Sequence, residues 1–581
     1  MRRFTFLPAL FLAMLLFSAP ALALSSRSAP LAPEFLESRG HVSGEGVAGK
    51  TGYRPGPLDL SHLDGVRLFG DSASRTATFP LSFDLRSLNR VTPVRDQQMT
   101  GTCWAHAPLG SIESNILTQG GGATSLSPKH LAWFVYRAPV HFTVSQQYFD
   151  GDESQPYPPN RNVFEQGGSN WMAVAALARL IGPVDETDCP YGSFPYSPTE
   201  LTAGEIPTGK EPARRFLRHA HFLAGSAEAA GQVFDLPAHA AFVDNVKTAL
   251  QTYGALALSY GSLSQYMNKA HSAFYQPAGQ GSASSNHAVT LVGWDDSYPK
   301  ENMVVSGDDG AGYMPPADGA WIFKNSWGTA AGESGYYRIS YYSRVLRHGI
   351  AYVTDEAAAD ESVYDHDPLG WVNSHGYPGL DTAFFANVFT AGSPSLPLGT
   401  PRAKGTTHET LKAVSFYAGA AGSEYMIRVF RGGDAGAPTS GTLVSGPQSG
   451  TLDTPGYHTV TLDMAPTFSN GERFAVVVRL RTPGYEFPIP VEYAIEGYSD
   501  AATASPDQGY ISADGTTWED AQPIHGGTMS VCLKAFTKTA TATPTPGDKG
   551  SGGGCSTAAG FAPIALILFV PLFLNRRKKT R

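Results

Sequence analysis

The sequence predicts an α+β domain followed by an all-β domain, and three features of the chain support this fold class. Helical periodicity is strongest between residues 103 and 253, whereas residues 255–342 contain short runs rich in β-branched and aromatic residues. Helices that precede strands favour segregated layers over a repeating βαβ arrangement. After Ser362, short strands recur between turns rich in Gly, Pro, Asn and Asp, which predicts a β-sandwich over residues 362–537.

The first predicted helix spans Cys103–Gln119, where apolar side chains recur at roughly helical spacing until Gly120–Gly122 end the pattern. Two more helices are predicted before the strands begin, over Trp171–Leu180 and Ala240–Tyr253. Four strands are predicted after these helices, because β-branched and aromatic residues occur there either in alternation with other residues or in continuous stretches. The strands are Ala255–Tyr260, His287–Trp294, Ala320–Trp327 and Gly335–Tyr342.

The composition excludes nucleic acid as a partner. Of 581 residues, 42% are hydrophobic and 16% are charged, and the net charge is -9. Such a chain is globular and long enough for two or three domains. Basic residues cluster only at the extreme C-terminus, so the sequence lacks the positive patch that binds phosphates.

The N-terminal end of the chain predicts export. Arg2 and Arg3 precede an apolar run that ends in Ala-Leu-Ala, which is typical of a signal peptide over residues 1–23. Residues 24–78 are rich in Pro, Gly and Ser. They predict a pro-segment or a loosely packed N-terminal extension, which is either removed or retained as an arm over the following domain.

The C-terminal end predicts attachment to a membrane or a cell surface. Residues 538–556 form a low-complexity linker with a Gly-rich motif that includes Cys555, and residues 557–581 combine a short transmembrane helix with a basic tail. This order resembles the tripartite sorting tails of exported bacterial proteins, in which an enzyme removes the helix. A permanent membrane anchor is the alternative, and both place the protein outside the cytoplasm.

Cys103 is a candidate nucleophile. The other cysteines, Cys189, Cys532 and Cys555, lie in different segments and outline no disulfide framework. A thiol is mostly protonated at neutral pH, but the dipole and the free amides at the start of a helix favour the thiolate. Cys103 has this position in its predicted helix, and a small buried core residue is the alternative.

His287 and Asn325 supply the other groups that cysteine-based hydrolysis needs. His287 begins a predicted strand after Asn286, a position that suits an imidazole at the rim of a cleft. Asn325 lies at the end of another predicted strand, with Trp327 beside it. An asparagine can orient the imidazole by accepting its N–H, and an aromatic ring keeps water from that hydrogen bond.

Together these residues resemble the papain family of cysteine proteases over roughly residues 79–345. The resemblance rests on motifs that occur in order: FPLSFDLR, VTPVRDQ, GTCWA, EQGGSNW, HAVTLVGW and KNSWGTAAGESGYYRI. It implies a two-lobed catalytic domain over residues 79–350, with a helical lobe and a β lobe.

The resemblance also implies a role for each residue of the chemistry. Cys103 would be the nucleophile, and His287 would act as general base and then as general acid. Asn325 would orient His287, and Gln97 would donate to the oxyanion together with the backbone amide of Cys103. The resemblance implies no metal and no cofactor.

Further residues would form the substrate groove by the same resemblance. Gly167 and Gly168 would bind the main chain of an extended protein or peptide substrate, and Trp327 would shield the contact between the histidine and the asparagine. Ser169 and Asn170 stand where the family tends to line a side-chain pocket. Because both are small and polar, the sequence does not predict a strong demand for a bulky apolar residue at P2, the second residue before the cleaved bond.

The chain departs from the family at three positions near the site. Thr100 and Glu165 stand where family members usually carry a disulfide-bonded pair of cysteines. His106 stands where an aromatic residue is usual, one helical turn from Cys103, so it is a second candidate base. We favour His287, because His106 has no evident orienting asparagine.

Two further segments predict insertions in the first domain. Residues 192–240 predict an inserted surface loop, with a lid over the cleft as the alternative. Val304–Ala320 predicts a turn-rich insertion that contains Asp308 and Asp309. A calcium loop is the alternative for this segment, although the spacing fits no EF-hand.

The β-sandwich is similar to lectin-like modules attached to some bacterial papain-like proteases, with Tyr364–Trp371 as its opening motif. Exposed aromatic residues there would stack on sugar rings, and packing against the catalytic domain is the alternative. The sequence therefore predicts an exported, surface-associated cysteine endopeptidase that acts through a thiolate–imidazolium pair and a thioester. The alternative function is a non-catalytic surface adhesion protein that binds carbohydrate through the sandwich.

Overall fold

The structure of the chain is a computed structural model. It describes residues 25–38, 51–69, 79–136, 163–192, 207, 211–223, 225, 228–229, 233–234, 236–282, 284–358, 360–395 and 408–539. The predicted signal peptide, Gly-rich motif and C-terminal helix lie outside these residues and stay predictions. Within the described ranges, no helix is both long enough and apolar enough to cross a membrane.

We call residues 25–38 and 51–69 the N-terminal segment, residues 79–358 the first domain and residues 360–539 the second domain. The described residues contain α1 Pro33–Ser38, α2 Cys103–Thr118, α3 Pro128–Tyr136, α4 Asn170–Leu177 and α5 Leu236–Tyr253. The three predicted helices are confirmed as α2, α4 and α5. The sequence analysis does not identify α3, a short helix whose residues are all buried.

The strands of the N-terminal segment and first domain are β1 Arg27–Ser28, β2 Ser82–Asp84, β3 Arg215–Phe222, β4 Glu228–Ala229, β5 Val233–Phe234, β6 Leu256–Tyr260, β7 Met267–Asn268, β8 Ala273–Phe274, β9 His287–Asp295, β10 Val305–Ser306, β11 Gly312–Tyr313, β12 Ala320–Lys324, β13 Tyr336–Ser340 and β14 Leu346–Glu356. The strands of the second domain are β15 Glu361–Tyr364, β16 Asn373–Gly376, β17 Thr382–Thr390, β18 His408–Ala418, β19 Ser423–Arg431, β20 Thr442–Leu452, β21 Gly456–Thr461, β22 Thr467–Ser469, β23 Arg473–Arg481, β24 Ile489–Glu492, β25 Gly509–Ser512, β26 Glu519–Asp520, β27 Ser530–Val531 and β28 Leu533–Thr539. The four strands predicted for the first domain are confirmed as β6, β9, β12 and β13.

One sheet runs through both domains. Its strand order is β15-β28-β18-β21-β3-β14-β6-β9-β12-β13-β8-β7, with β2 also pairing with β9 and β22 with β18. Strand β3 joins the domains, because it pairs with β14 on one side and with β21 on the other. Residues 192–240 are predicted above as an inserted surface loop, and this is wrong for β3, whose main chain is paired along both edges. Within the segment predicted as a turn-rich insertion, β10 and β11 form a hairpin.

The second domain is the predicted β-sandwich. A six-stranded sheet has the order β20-β19-β23-β17-β25-β26. Its inward side chains pack with those of β18 and β28 in one apolar cluster, in which the Phe385 and Phe416 rings lie 6.3 Å apart. A smaller sheet, β1-β16-β24-β27, includes a strand of the N-terminal segment.

The helical layer of the first domain packs on the sheet through α2. This helix contacts β6, β9 and β14, and α3 and α4 pack against it. The contact with β9 is close, since a Cβ added to Gly110 would lie 2.4 Å from Thr290 Oγ1. This is the two-lobed arrangement that the resemblance implies.

Buried charges connect the end of the helical layer to the second domain. Arg179 Nε lies 2.7 Å from Asp365 Oδ2, and Lys534 Nζ lies 2.6 Å from Asp367 Oδ2. These four side chains are at most 3% exposed. Burial raises the pKa of Asp365, but Arg179 and Lys534 outweigh it and hold this pKa at about 2. Asp365 of the motif Tyr364–Trp371 therefore connects the two domains through Arg179, whereas Asp367 pairs with Lys534 inside the second domain.

Replacing Arg179 should destabilise the protein strongly. In Arg179→Ala the buried Asp365 carboxylate loses its closest cation, and breaking one side of a buried pair typically costs about 3–5 kcal/mol. We expect a clear fall in the thermal midpoint and in the apparent free energy of unfolding in urea. Arg481→Ala is the control. The ion pair of Arg481 with Asp381 is partly exposed and screened by solvent, so its loss should change the thermal midpoint little. Equal effects of the two changes would contradict the prediction.

Candidate active site

Cys103 is the first residue of α2, and its thiol lies against the start of β9. The backbone amide of Ala288, directly after His287, hydrogen bonds to the sulfur, as do the amides of Trp104 and of Cys103 itself. Among the cysteines that the structure describes, Cys103, Cys189 and Cys532 are all buried and free. No disulfide joins these three cysteines, as their scattered positions in the sequence predict.

The His287 ring is held in one orientation by Asn325. Nε2 of His287 lies 2.8 Å from Asn325 Oδ1, and the Ser326 amide donates to the same oxygen at 2.8 Å. Since Oδ1 only accepts hydrogen bonds, Nε2 carries the ring proton and Nδ1 keeps its lone pair. Nδ1 is buried without a hydrogen-bond partner among the described residues. It is the nitrogen available as a base.

Trp327 lies against the His287 ring that makes this hydrogen bond. Its ring stacks on His287 with the ring centroids 4.7 Å apart and an angle of 24° between the planes. His287 is fully buried, and Asn325 is almost so. Beyond Trp327 a pocket lined by Leu263, Met267 and Tyr337 opens along the domain surface.

Gln97 is linked to Asn325 through a residue that the sequence does not single out. Ser326 Oγ donates to Gln97 Oε1 at 2.6 Å, and the Gln97 backbone amide donates to the Ser326 carbonyl at 2.8 Å. The Gln97 side-chain amide donates to the Thr100 carbonyl at 2.6 Å. A primary amide carries two N–H groups, so this hydrogen bond leaves the predicted oxyanion role compatible with the structure.

Hydrogen bonds hold the loop before Cys103 where the family usually has a disulfide. The Thr100 and Thr102 hydroxyls each lie 2.6 Å from the Tyr191 hydroxyl, which donates to the Gln97 carbonyl at 3.0 Å. The Gly101 amide donates to the Phe164 carbonyl at 2.8 Å. The two loops that a disulfide would join are thus connected by the main-chain hydrogen bond of Gly101, while Tyr191 holds the loop before Cys103 from a third segment.

The glycine pair lies where only glycine fits. A Cβ on Gly168 would come within 2.4 Å of the Trp104 ring. Gly167 has a φ of 72°, which an L side chain rarely adopts. The Tyr136 hydroxyl donates to the Gly167 carbonyl at 2.6 Å. These contacts hold the Gly168 main chain at the edge of the groove beside Cys103.

The N-terminal segment occupies this groove. The Gly168 amide donates to the Gly52 carbonyl at 2.9 Å, and the Arg54 amide donates to the Gly168 carbonyl at 2.8 Å. Tyr53 forms a parallel bridge with Gly168, and its amide donates to the Asn286 carbonyl at 3.0 Å. The Gly52 amide also hydrogen bonds to the Cys103 sulfur. The segment therefore covers the thiol and pairs with the main chain that is predicted to bind substrate.

Burial keeps the two reactive groups neutral while the segment covers them. Burial raises the pKa of the Cys103 thiol to about 11, although four backbone amides oppose the shift. Burial lowers the pKa of His287 to about 4, although the hydrogen bond with Asn325 opposes it. Between these two values the thiol and the imidazole are both uncharged in the covered groove.

His106, the second candidate base, makes different contacts from those of His287. Its Nδ1 donates to the Thr102 carbonyl at 3.0 Å, and its ring packs edge-on against Tyr191. Burial and the nearby Arg95 lower its pKa to about 3. The ring is held by its own helix and has no asparagine partner, which favours His287 as the base.

The comparisons with known proteins agree with this geometry. Residues 79–132 and 218–354 match the model of the papain family cysteine protease, and residues 363–537 match the model of the lectin like domain. The first domain is therefore similar to papain family cysteine proteases, and the second domain is similar to the lectin like domain. The predicted fold class and the predicted family resemblance are confirmed.

Curated relatives match the papain-family domain. The viral cathepsin of Orgyia pseudotsugata multicapsid polyhedrosis virus is 26% identical over 260 residues, which cover 45% of this chain and 59% of that protein. Cathepsin K of Gallus gallus is 26% identical over 299 residues, covering 51% of this chain and 68% of that protein. The chain thus spans about three fifths of the length of the viral cathepsins.

Solved structures match both domains. The structure of the cysteine protease and lectin-like domains of Cwp84, a surface layer associated protein of Clostridium difficile, has a TM-score of 0.64 at 22% identity and covers 89% of this chain and 99% of that chain. A structure of Cwp84 after propeptide cleavage has a TM-score of 0.59 at 23% identity and covers 79% of this chain and 99% of that chain. At this identity the likeness shows a shared fold.

Opening the groove should make Cys103 more reactive. A Cβ on Gly52 would lie 2.0 Å from the Gly101 carbonyl oxygen, so Gly52→Val should displace the segment from the papain-family domain. Loss of the cover restores solvent to the thiol, so its pKa should fall and its thiolate fraction at pH 8 should rise. Peptide mapping after iodoacetamide treatment should show Cys103 alkylated at least tenfold faster than in the unchanged chain.

The exposed-loop variant Gly122→Val is the matched control, since nothing lies near a Cβ at this position. Cys189 and Cys532 provide an internal reference in every sample, because both stay buried. Equal Cys103 rates in the Gly52→Val and unchanged chains would contradict the covering role of the segment.

Proposed function

We propose that this protein is a cysteine endopeptidase that hydrolyses peptide bonds through Cys103 and His287. The observation that carries the proposal is the orientation of His287. Asn325 binds its Nε2, so the Nδ1 lone pair remains as the base beside the helix start that bears Cys103. Papain-family relatives share this domain.

The reaction would proceed in two stages. His287 Nδ1 takes the proton of the Cys103 thiol, and the thiolate attacks the substrate carbonyl carbon. The backbone amide of Cys103 and the side chain of Gln97 stabilise the oxyanion. Protonated His287 then gives its proton to the leaving amine as the C–N bond breaks, which leaves a thioester on Cys103.

The second stage regenerates the enzyme. Neutral His287 takes a proton from a water molecule, and the hydroxide oxygen attacks the thioester carbonyl. The C–S bond breaks, the carboxylic acid product leaves, and Cys103 regains its proton. Asn325 keeps the ring aligned through both stages, while Trp327 excludes water from their hydrogen bond.

The N-terminal segment would act as a removable inhibitor. Its main chain pairs with Gly168 and its Gly52 amide contacts the thiol, so substrate cannot enter while it is present. One solved structure of similar fold is described as following propeptide cleavage. We therefore assign residues 24–78 as a pro-segment, residues 79–350 as the peptidase domain and residues 362–537 as the lectin-like domain.

The protein would act outside the cytoplasm. The basis is the predicted signal peptide over residues 1–23 and the predicted tail over residues 557–581. Cwp84, which shares the fold, is described as a surface layer associated protein. Attachment at a cell surface would place the groove near extracellular protein substrates.

The second candidate function is a surface adhesion protein that binds glycans through the lectin-like domain. The match of residues 363–537 to the lectin like model favours it. A glycan array probed with the full chain and with Cys103→Ala would detect such binding without any need for turnover.

Catalysis should depend on Cys103 and only weakly on His106. In a fluorogenic peptide assay after segment removal, Cys103→Ala and His287→Ala should abolish hydrolysis. His106→Phe should retain most of it, because its ring contacts its own helix. Gln97→Ala should lower kcat about 10²–10³-fold, the usual cost of one oxyanion donor. Loss of activity in His106→Phe with retention in His287→Ala would reverse the assignment.

Weakening the segment should activate the intact chain. A Cβ on Gly56 would lie 2.3 Å from the Trp171 ring, so Gly56→Val should lift the segment from the groove without touching the reacting groups. Peptide hydrolysis by the full-length chain should rise by about tenfold or more at neutral pH. Gly122→Val should leave the basal rate unchanged. An unchanged rate in Gly56→Val would argue against inhibition by the segment.

A further inference from the structure

The pocket that receives the Tyr53 side chain is built by both domains. Tyr53 is 3% exposed, although it belongs to the N-terminal segment. Its hydroxyl hydrogen bonds to the Ser259 side chain, and Glu34, Tyr498 and Tyr352 lie near enough to raise its pKa. Ser259 and Tyr352 lie on β6 and β14, whereas Tyr498 comes from the lectin-like domain.

The sheet places this pocket directly beside the thiol. Ser259 pairs with Ala288 on one neighbouring strand and with Arg347 on the other, so these three side chains share one face of the sheet. Ala288 is the residue whose amide contacts the Cys103 sulfur. A side chain that enters the pocket therefore belongs to a substrate residue close to the cleaved bond.

The polar group at the pocket floor favours a hydrogen-bond donor. Ser259 Oγ donates its single hydrogen to the Arg347 carbonyl at 3.1 Å, so it offers lone pairs to the pocket. Burial raises the pKa of the Tyr53 hydroxyl well above its usual value, which keeps this group protonated as a donor. A phenylalanine would leave the Ser259 lone pairs without this partner, at the cost of a lost buried hydrogen bond.

Tyr498 forms the wall of the pocket that the lectin-like domain supplies. Its hydroxyl lies 3.1 Å from Ser169 Oγ, next to the Gly168 main chain. Its ring meets Phe35 edge-on with the centroids 5.7 Å apart, and the carbonyl before it accepts a hydrogen bond from Arg54 at 3.1 Å. The residue is buried against both the groove and the segment.

An acidic side chain is the rival occupant of the same pocket. Arg347 Nε lies 3.8 Å from Glu34 Oε2, and Asp64 also interacts with this arginine. Both carboxylates belong to the N-terminal segment and leave with it. Arg347 would then attract a glutamate, whereas Ser259, whose hydrogen goes to the Arg347 carbonyl, would offer a carboxylate no donor.

We propose that Ser259 and Tyr498 select a tyrosine side chain at the substrate residue that pairs with Gly168, so that the lectin-like domain forms part of the substrate-binding site. The inference rests on the proposed peptidase function, because it names the side chain that the same groove accepts. Tyr53 occupies this pocket in the intact chain, and a substrate tyrosine takes its place once the segment leaves.

The test uses peptidyl vinyl sulfones that differ only at P2, where they carry Tyr, Phe, Leu or Glu. These reagents alkylate a reactive thiol irreversibly, so intact mass gives the rate of Cys103 labelling without any need for hydrolysis. The protein is the full-length chain with Gly52→Val, which opens the groove. We expect the tyrosine reagent to react about tenfold faster than the phenylalanine reagent, as one buried hydrogen bond provides.

Two substitutions locate the selectivity. Ser259→Ala should bring the rate ratio of tyrosine to phenylalanine close to one. Tyr498→Ala should slow the tyrosine reagent about tenfold, and the milder Tyr498→Phe should slow it about threefold if the alanine variant fails to fold. Tyr510→Phe is the matched control, because Tyr510 is a buried tyrosine of the same domain that hydrogen bonds to Asp507.

Equal rates with tyrosine and phenylalanine, or a faster rate with glutamate, would overturn the proposal. Wild-type selectivity in both Ser259→Ala and Tyr498→Ala would also overturn it. The proposed function has a separate readout, hydrolysis of the matching tyrosine peptide. Selective labelling without hydrolysis would reject the peptidase and support the pocket, whereas hydrolysis without tyrosine preference would reject only the pocket.

Discussion

The close packing of α2 on β9 is the contact on which the site depends. A Cβ at Gly110 would stand 2.4 Å from Thr290 Oγ1, so the helix can lie this near to the strand only with glycine at that position. The packing brings the first residue of α2 to the amide of Ala288, one residue after His287. The thiol comes from the helical layer and the imidazole from the sheet. Nothing local in the chain would otherwise bring them together.

Solvation of the groove governs the charge state of this pair. The helix dipole and the backbone amides around the sulfur favour a thiolate, but full burial beneath the N-terminal segment outweighs them. In the proposed function, the segment would therefore act on the chemistry through desolvation as well as through obstruction. Both domains bind the segment, since Ser28 pairs with His375 of the lectin-like domain and Tyr53 pairs with Gly168 of the first domain. The N-terminal segment therefore contacts the lectin-like domain as well as the groove.

Prediction from the sequence succeeded where neighbouring residues decide the outcome. The start of α2 at Cys103 and the start of β9 at His287 follow from local periodicity. The family motifs predict the catalytic roles of these two residues. It failed for β3, because the pairing partners of that strand are β14 and β21, which are far away in the sequence. It also missed Ser326 as the link between Gln97 and Asn325, since a serine after a strand usually serves a turn. No local sequence pattern indicated that Tyr498 would lie at the groove.

The sequence by itself determined the order of the elements, the α+β and all-β fold classes, and the residue types that the chemistry needs. These properties depend on side-chain periodicity and on short motifs, which act over a few residues. Only the tertiary structure decided that the N-terminal segment lies in the groove, that one sheet crosses both domains and that Tyr498 reaches the thiol side of the first domain. Such contacts join residues hundreds of positions apart, and their free energy comes from burial and strand pairing that exist only after the chain has folded.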